Sequence, residues 1–245
     1  MEDNNKVATK MLFTSGKGGV GKSTLATSFA KIKAKQGSKV LMIDCDVCLR
    51  TLDIMLSVSD IVLYDWYDVI EENCEADAAL VTAGNINLLA APIGSVSVDG
   101  ESFKKLVKFY ENDFDFIVLD CPAGVGTVFE AVAEAVDTAI IVATPDNVCA
   151  RSAGVAAGKL MDKGVECKLI INRFKKEVVT GGRALNIDEV VDATATQLIG
   201  IVPEDITLAL STLSGELIDP NSKSMKAMER IACRISGEYV PLKIS

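Results

Sequence analysis

No histidine occurs anywhere in the 245 residues. Mechanisms that need an imidazole base, a Ser-His pair or a His-ligated metal are therefore excluded before any motif is read. Aromatic residues are scarce, at 5%, with a single tryptophan. No stretch approaches the roughly 18 uninterrupted apolar residues that crossing a bilayer demands, so an integral membrane protein is not expected. The start, Met1-Glu2-Asp3-Asn4-Asn5, lacks the basic and apolar regions of a secretory signal, and a cytoplasmic protein is expected. Positive charge is the minority: 25 Lys and Arg against 34 Asp and Glu leave a net charge of −9, with a pI near 4.7. That balance gives no global drive toward nucleic acid or anionic lipid, and no specific nucleic-acid partner is expected.

Cysteine is present but not as a framework. The seven residues are Cys45, Cys48, Cys74, Cys121, Cys149, Cys167 and Cys233, an odd number with one close pair. Cys45 and Cys48 form a C-x-x-C with no second pair or histidine to close a zinc site, so small core-filling thiols are the favoured reading.

What remains is the composition of a folded chain: 49% apolar and 24% charged residues, with a mean hydropathy of +0.29. The length suits one domain, residues 1–245, without a linker. Seven short apolar runs recur between helical patterns, at 11–13, 40–43, 86–89, 116–119, 139–142, 169–171 and 198–201. Runs apolar throughout are what strands covered on both faces look like. The expected class is α/β, a mostly parallel central sheet flanked by helices on both faces in three layers. Helices are predicted over Lys22–Gln36, Glu101–Tyr110 and Ser222–Ser236, the first and last stopping at glycines. Ligands of such sheets sit at the carboxyl ends of the strands.

There the first motif lies. Gly16-Lys17-Gly18-Gly19-Val20-Gly21-Lys22-Ser23-Thr24 matches G-x-x-x-x-G-K-[ST] directly after a strand and opens a helix. Its glycines let backbone N–H groups turn inward, the helix N-terminus adds positive dipole, Lys22 reaches outer phosphates and Ser23 offers a hydroxyl to magnesium. A nucleoside triphosphate with magnesium is the expected ligand set, and a merely packing turn would not need this order of residues. Acids follow two further strands, Asp44-Cys45-Asp46 and Asp120-Cys121-Pro122-Ala123-Gly124. A carboxylate so placed holds magnesium through water, which suits Asp120, while another orients the attacking water. Gly124 is expected to offer its N–H to the γ-phosphate, making residues 120–126 a switch.

The second lysine, Lys17, gives K-G-G-x-G-K-[ST], and here the chain resembles the deviant Walker A ATPases of the MinD/ParA family. Further likeness to the MinD type runs through Asp44–Asp46, Leu49–Asp53, Tyr64-Asp65, Asp120–Gly124, Asn172-Arg173-Phe174, Leu185–Val190, Gly200–Asp205 and Gly215-Glu216, roughly the whole chain. The resemblance implies a Mg-dependent ATP hydrolase with ATP/ADP and Mg²⁺ as cofactors, working as an ATP-dependent homodimer in which Lys17 reaches the facing subunit's phosphates. It also implies Asp46 near the nucleophilic water, Asp44 supporting the magnesium shell, and Asn172, Arg173, Pro203, Glu204 and Asp205 framing the adenine. A MinC-like inhibitor and a MinE-like activator are the implied partners, and placement of the division site the implied role. The basic amphipathic helix with which such proteins enter the membrane is not expected after Gly237, where Pro241 obstructs a helix, so any peripheral attachment would use a missing tail or a partner. The alternatives are a ParA-like or flagellar-number positioning ATPase and an iron–sulfur carrier, for which Cys121 and Cys149 would have to meet across a dimer axis.

Overall fold

A computed structural model describes residues 7–243 apart from 48, 95, 209, 211–218 and 220. Cys48 and the Gly215-Glu216 pair of the sequence comparison lie outside the described residues. Eight strands form one sheet: β1 (Thr9–Thr14), β2 (Val40–Asp44), β3 (Leu80–Ala83), β4 (Ile86–Leu89), β5 (Phe116–Asp120), β6 (Thr138–Ala143), β7 (Glu166–Phe174) and β8 (Gln197–Pro203). The order is β3-β4-β2-β5-β1-β6-β7-β8, with every pair parallel except β3 and β4. Every residue of β2 and β5 is buried, as their unbroken apolar runs require.

The strand β3 was not among the seven runs of the sequence. Leu80-Val81-Thr82-Ala83 is short and at the sheet's edge, with Thr82 exposed, so it carries no continuous apolar signal. It pairs antiparallel with β4 through a turn at Gly84 and Asn85.

Helices cover the sheet: α1 (Lys22–Lys35), α2 (Leu52–Met55), α3 (Trp66–Ile70), α4 (Gly100–Tyr110), α5 (Thr127–Ala133), α6 (Asn147–Asp162), α7 (Lys176–Thr180), α8 (Ile187–Thr194) and α9 (Lys223–Ile235). Phe29 of α1 packs edge-on against Phe116 of β5, with ring centroids 5.6 Å apart. That contact ties the helix behind the phosphate loop to the centre of the sheet. The last helix, α9, is basic and amphipathic, but its apolar face of Ala227, Met228, Ile231 and Ala232 is buried against β8 and α1. No described helix is long and apolar enough to cross a membrane.

Candidate nucleotide site

Five strands adjacent in the sheet, β2, β5, β1, β6 and β7, deliver their carboxyl ends to one edge, and every motif at a strand end lies there. The loop after β1 folds tightly over that edge. A Cβ on Gly16 would lie 2.1 Å from the backbone of Ser152 in α6, and Gly21 takes φ +93° with Asn172 Nδ2 only 2.4 Å from where its Cβ would be. Both positions therefore exclude a side chain. Asn172 Nδ2 donates to the Val20 carbonyl at 2.8 Å, and the residue is 5% exposed. Its amide thus braces the loop, with its Oδ1 and second N–H left for the contact expected with adenine.

Lys22 opens α1 and is almost wholly buried. Its Nζ lies 2.6 Å from Asp120 Oδ1 and 3.1 Å from Ser23 Oγ. Burial disfavours the lysine's charge, but Asp120, helped by Asp44, outweighs it and raises its pKa. Asp44 and Asp120 end neighbouring strands as direct register partners, and both are fully buried. Burial first, and the Asp120 carboxylate second, push Asp44 up to about 7, against the pull of two backbone N–H groups and Lys22. Those N–H groups belong to Asp46 and Leu52, each 2.9 Å from an Asp44 carboxylate oxygen. Asp46 itself is half-buried, and its Oδ1 accepts from the Leu49 N–H at 3.3 Å.

On the other side of the loop, Lys17, Gly18 and Gly19 are exposed at the rim of a cleft of about 300 Å³, whose walls add Val20, Thr144, Asp146 and Arg173. Asp146 caps α6 by accepting from the Cys149 N–H at 2.9 Å and from Thr144 Oγ1 at 2.6 Å. Burial opposes its charge, yet these bonds and the nearby Lys17 hold its carboxyl below the ordinary range. Thr144 and Asp146 were not singled out as site residues from the sequence. An acid directly after a strand and before a helix was the available signal, the same one that pointed to Asp120.

Three further groups named from the sequence have partners of their own within the chain. The Gly124 N–H donates to the Ser15 carbonyl at 3.0 Å, so offering it to a phosphate requires that bond to break first. Arg173 lines the cleft, but Pro203, Glu204 and Asp205 are not among its walls. Glu204 pairs with Lys175, and the Asp205 carboxylate is engaged by Thr207 and Ser224. Cys121 and Cys149 are fully buried, and Cys149 Sγ accepts the Thr144 N–H at 3.3 Å, which leaves neither thiol free to meet a partner's thiol across a dimer axis. Burial pushes the Cys121 thiol far up, away from the thiolate a cluster would need.

Among the described residues no cluster of three or more His, Cys, Asp or Glu side chains could cage a metal. The donor set still fits magnesium held with a nucleotide, because that ion keeps several waters and phosphate oxygens and needs few protein ligands. Asp120 Oδ2 is fully buried without a hydrogen-bond partner, which costs free energy unless a cation or its water fills the place.

A glycine-wrapped lysine at the first strand, a hydroxyl at the helix start and paired strand-end carboxylates define a P-loop nucleoside triphosphatase. A family model described as ParA: NUBPL iron-transfer P-loop NTPase matches residues 6–236. The septum site-determining protein MinD of Helicobacter pylori is 38% identical over 96% of this chain and 92% of its own length, and that of Bacillus subtilis 33% identical over 96% and 91%. In the solved MinC:MinD cell division protein complex of Aquifex aeolicus, a chain superposes with a TM-score of 0.88 at 36% identity, covering 97% of this chain and 99% of that one. The Mg-ADP complex of MinD from Pyrococcus horikoshii gives 0.84 at 24% identity over 93% and 96%, a likeness of fold. The chain belongs to the ParA family of P-loop NTPases and, within it, to the MinD group of ATPases that help place the cell-division site.

Proposed function

We propose that the chain is an ATP-switched homodimer in which Lys17 of each subunit contacts the other subunit's nucleotide phosphates. The observation that carries this reading is the division of labour between its two loop lysines. Lys22 is buried against Asp120, whereas Lys17 is exposed at the rim of the cleft, where a facing subunit's phosphates could come. Magnesium bound with ATP neutralises charge on the phosphate oxygens. Ser23 and Asp120 would hold it, Asp120 through the unpartnered Oδ2, with Asp44 behind them.

In this reading Lys22 would exchange Asp120 for a phosphate oxygen, and the Asp120 carboxylate would be left to hold magnesium. Asp46 stands closer to solvent than Asp44 and orients the attacking water, which with histidine absent falls to a carboxylate. The Gly124 N–H leaves Ser15 when a γ-phosphate arrives, so loop 120–126 reports which nucleotide is bound. Arg173 frames the base at the cleft, and Pro203, Glu204 and Asp205, held beside it by the Phe174–Pro203 pairing and the Glu204 N–H bond to the Phe174 carbonyl, would close over it from outside the cleft walls. The MinC seated on the Aquifex relative makes a MinC-like protein the first partner to test, and a MinE-like activator the second. The site of work is the cytoplasm, with any membrane contact peripheral and made through a further segment or a partner, because the basic face of α9 is docked by its apolar side.

Turnover of Mg-ATP tests the chemistry. Asp46→Ala should bind ATP with unchanged affinity while phosphate release falls by about 100-fold, within the range usual for loss of a positioned base. Turnover at the parental rate would remove Asp46 from the reaction.

A further inference from the structure

Beta-strands β2 and β4 run in register as far as Ile43 and Leu89, and at the next pair, Asp44 and Ala90, they part. Both carbonyls left at that fork are met by one residue. The Trp66 indole Nε1–H donates to the Asp44 carbonyl at 2.9 Å, and the Trp66 backbone N–H donates to the Ala90 carbonyl at 3.1 Å. On its other side β2 is held by the Cys45 N–H, which donates to the Asp120 carbonyl at 2.9 Å. The peptide that leads from Asp44 to Asp46 is thus fixed between an indole and the strand carrying Asp120.

The wedge is itself held firmly. Asp65 precedes Trp66 as a helix cap, accepting from the Tyr67 and Asp68 N–H groups, while the Asp68 side chain accepts from the Asp65 N–H in return. The indole is fully buried and meets Phe103 of α4 edge-on, with centroids 5.4 Å apart and planes at 83°. We propose that Trp66 is a positioning residue for hydrolysis: its indole N–H fixes the Asp44 carbonyl and, through the Asp44–Asp46 turn, sets Asp46 against the attacking water. It acts through the backbone and touches no reacting atom. The inference rests on the role of Asp46 proposed above. A buried indole that has merely found an acceptor would serve packing alone.

The two roles separate experimentally because Trp66 is the chain's one tryptophan. Trp66→Phe keeps a ring in the core and loses the N–H. Biosynthetic replacement of tryptophan by β-(3-benzothienyl)alanine keeps the bicyclic shape and exchanges the N–H for sulfur. Steady-state Mg-ATP hydrolysis by the full chain should show kcat lowered about tenfold in both, with KM within twofold of the parent. Phe103→Leu, which loosens the packing around the indole and spares the hydrogen bond, should lower the melting temperature and leave kcat within twofold. Parental kcat in the benzothienyl protein overturns the proposal, as does a Phe103→Leu variant whose kcat falls as far as that of Trp66→Phe. Asp46→Ala run alongside distinguishes the failures. If it turns over normally the reading of Asp46 fails, and if it is inactive while the benzothienyl protein is not, the role of Trp66 alone fails.

Discussion

Lys22 is asked to be charged inside a nearly dry site, and Asp120 at 2.6 Å makes that tolerable. Removing one partner of such a pair leaves the other buried and uncompensated, a change that costs roughly 3–5 kcal/mol, so substitutions at Lys22 or Asp120 report on folding as well as on phosphate binding. Asp44 carries the opposite burden, since it lies beside the same carboxylate and has its pKa raised to about 7 from 3.8. A folded-state pKa above the unfolded value means that the native state holds the proton longer. This group's favourable contribution is complete below pH 3.8 and lost as pH rises through about 7. In nucleotide-free protein, the melting temperature of Asp44→Asn should therefore fall less than that of the parent between pH 5 and pH 8, by differential scanning calorimetry on the two proteins side by side. Identical pH slopes would show that Asp44 is ionised throughout. The thiols beside these acids are inert for the same reason that Asp44 is perturbed: Cys45 and Cys121 are fully buried, and burial holds both in the neutral form.

At the scale of elements, the P-loop is shaped by its neighbours as much as by its own glycines. Asn172 near the end of β7 holds the Val20 carbonyl, and the backbone of α6 passes too close to Gly16 for any side chain. Asn172→Ala would leave that carbonyl unmet and should weaken ATP binding about five- to tenfold by titration calorimetry, with a stability loss of about 1–3 kcal/mol. Unchanged affinity would confine Asn172 to the core. The sequence disclosed the elements that repeat a strong local signal: apolar runs for seven strands, glycines after Lys35 and Ile235, and an acid at the end of β2 and of β5. It was silent about β3, whose four residues alternate in burial at an edge. It also could not say which partner a polar group would choose. Whether Asn172 turned to a base or to Val20, or Gly124 to a phosphate or to Ser15, depends on which strands lie side by side. That order joins residues as far apart in the chain as Val20 and Asn172. Trp66 escaped notice because a lone tryptophan reads as core filling, and only the parting of β2 from β4 gives its N–H a task.

For the whole molecule, the proposed dimer would complete a site that one subunit builds in part. The acids, Lys22 and Ser23 converge on one edge of the sheet, while Lys17 lies exposed at that edge beside Asp146. In the proposed reading, association completes the phosphate environment and hydrolysis undoes it, so that nucleotide state sets the oligomeric state. The decisive measurement is the solution mass by size-exclusion chromatography with light scattering, for the parent and for Lys17→Ala, each with Mg-ATP and with Mg-ADP. The account predicts a dimer of about 52 kDa for the parent with ATP alone, twice the 26.1 kDa chain, and a monomer for Lys17→Ala under both nucleotides despite near-parental ATP binding. A Lys17→Ala protein that dimerises with ATP as the parent does would contradict it.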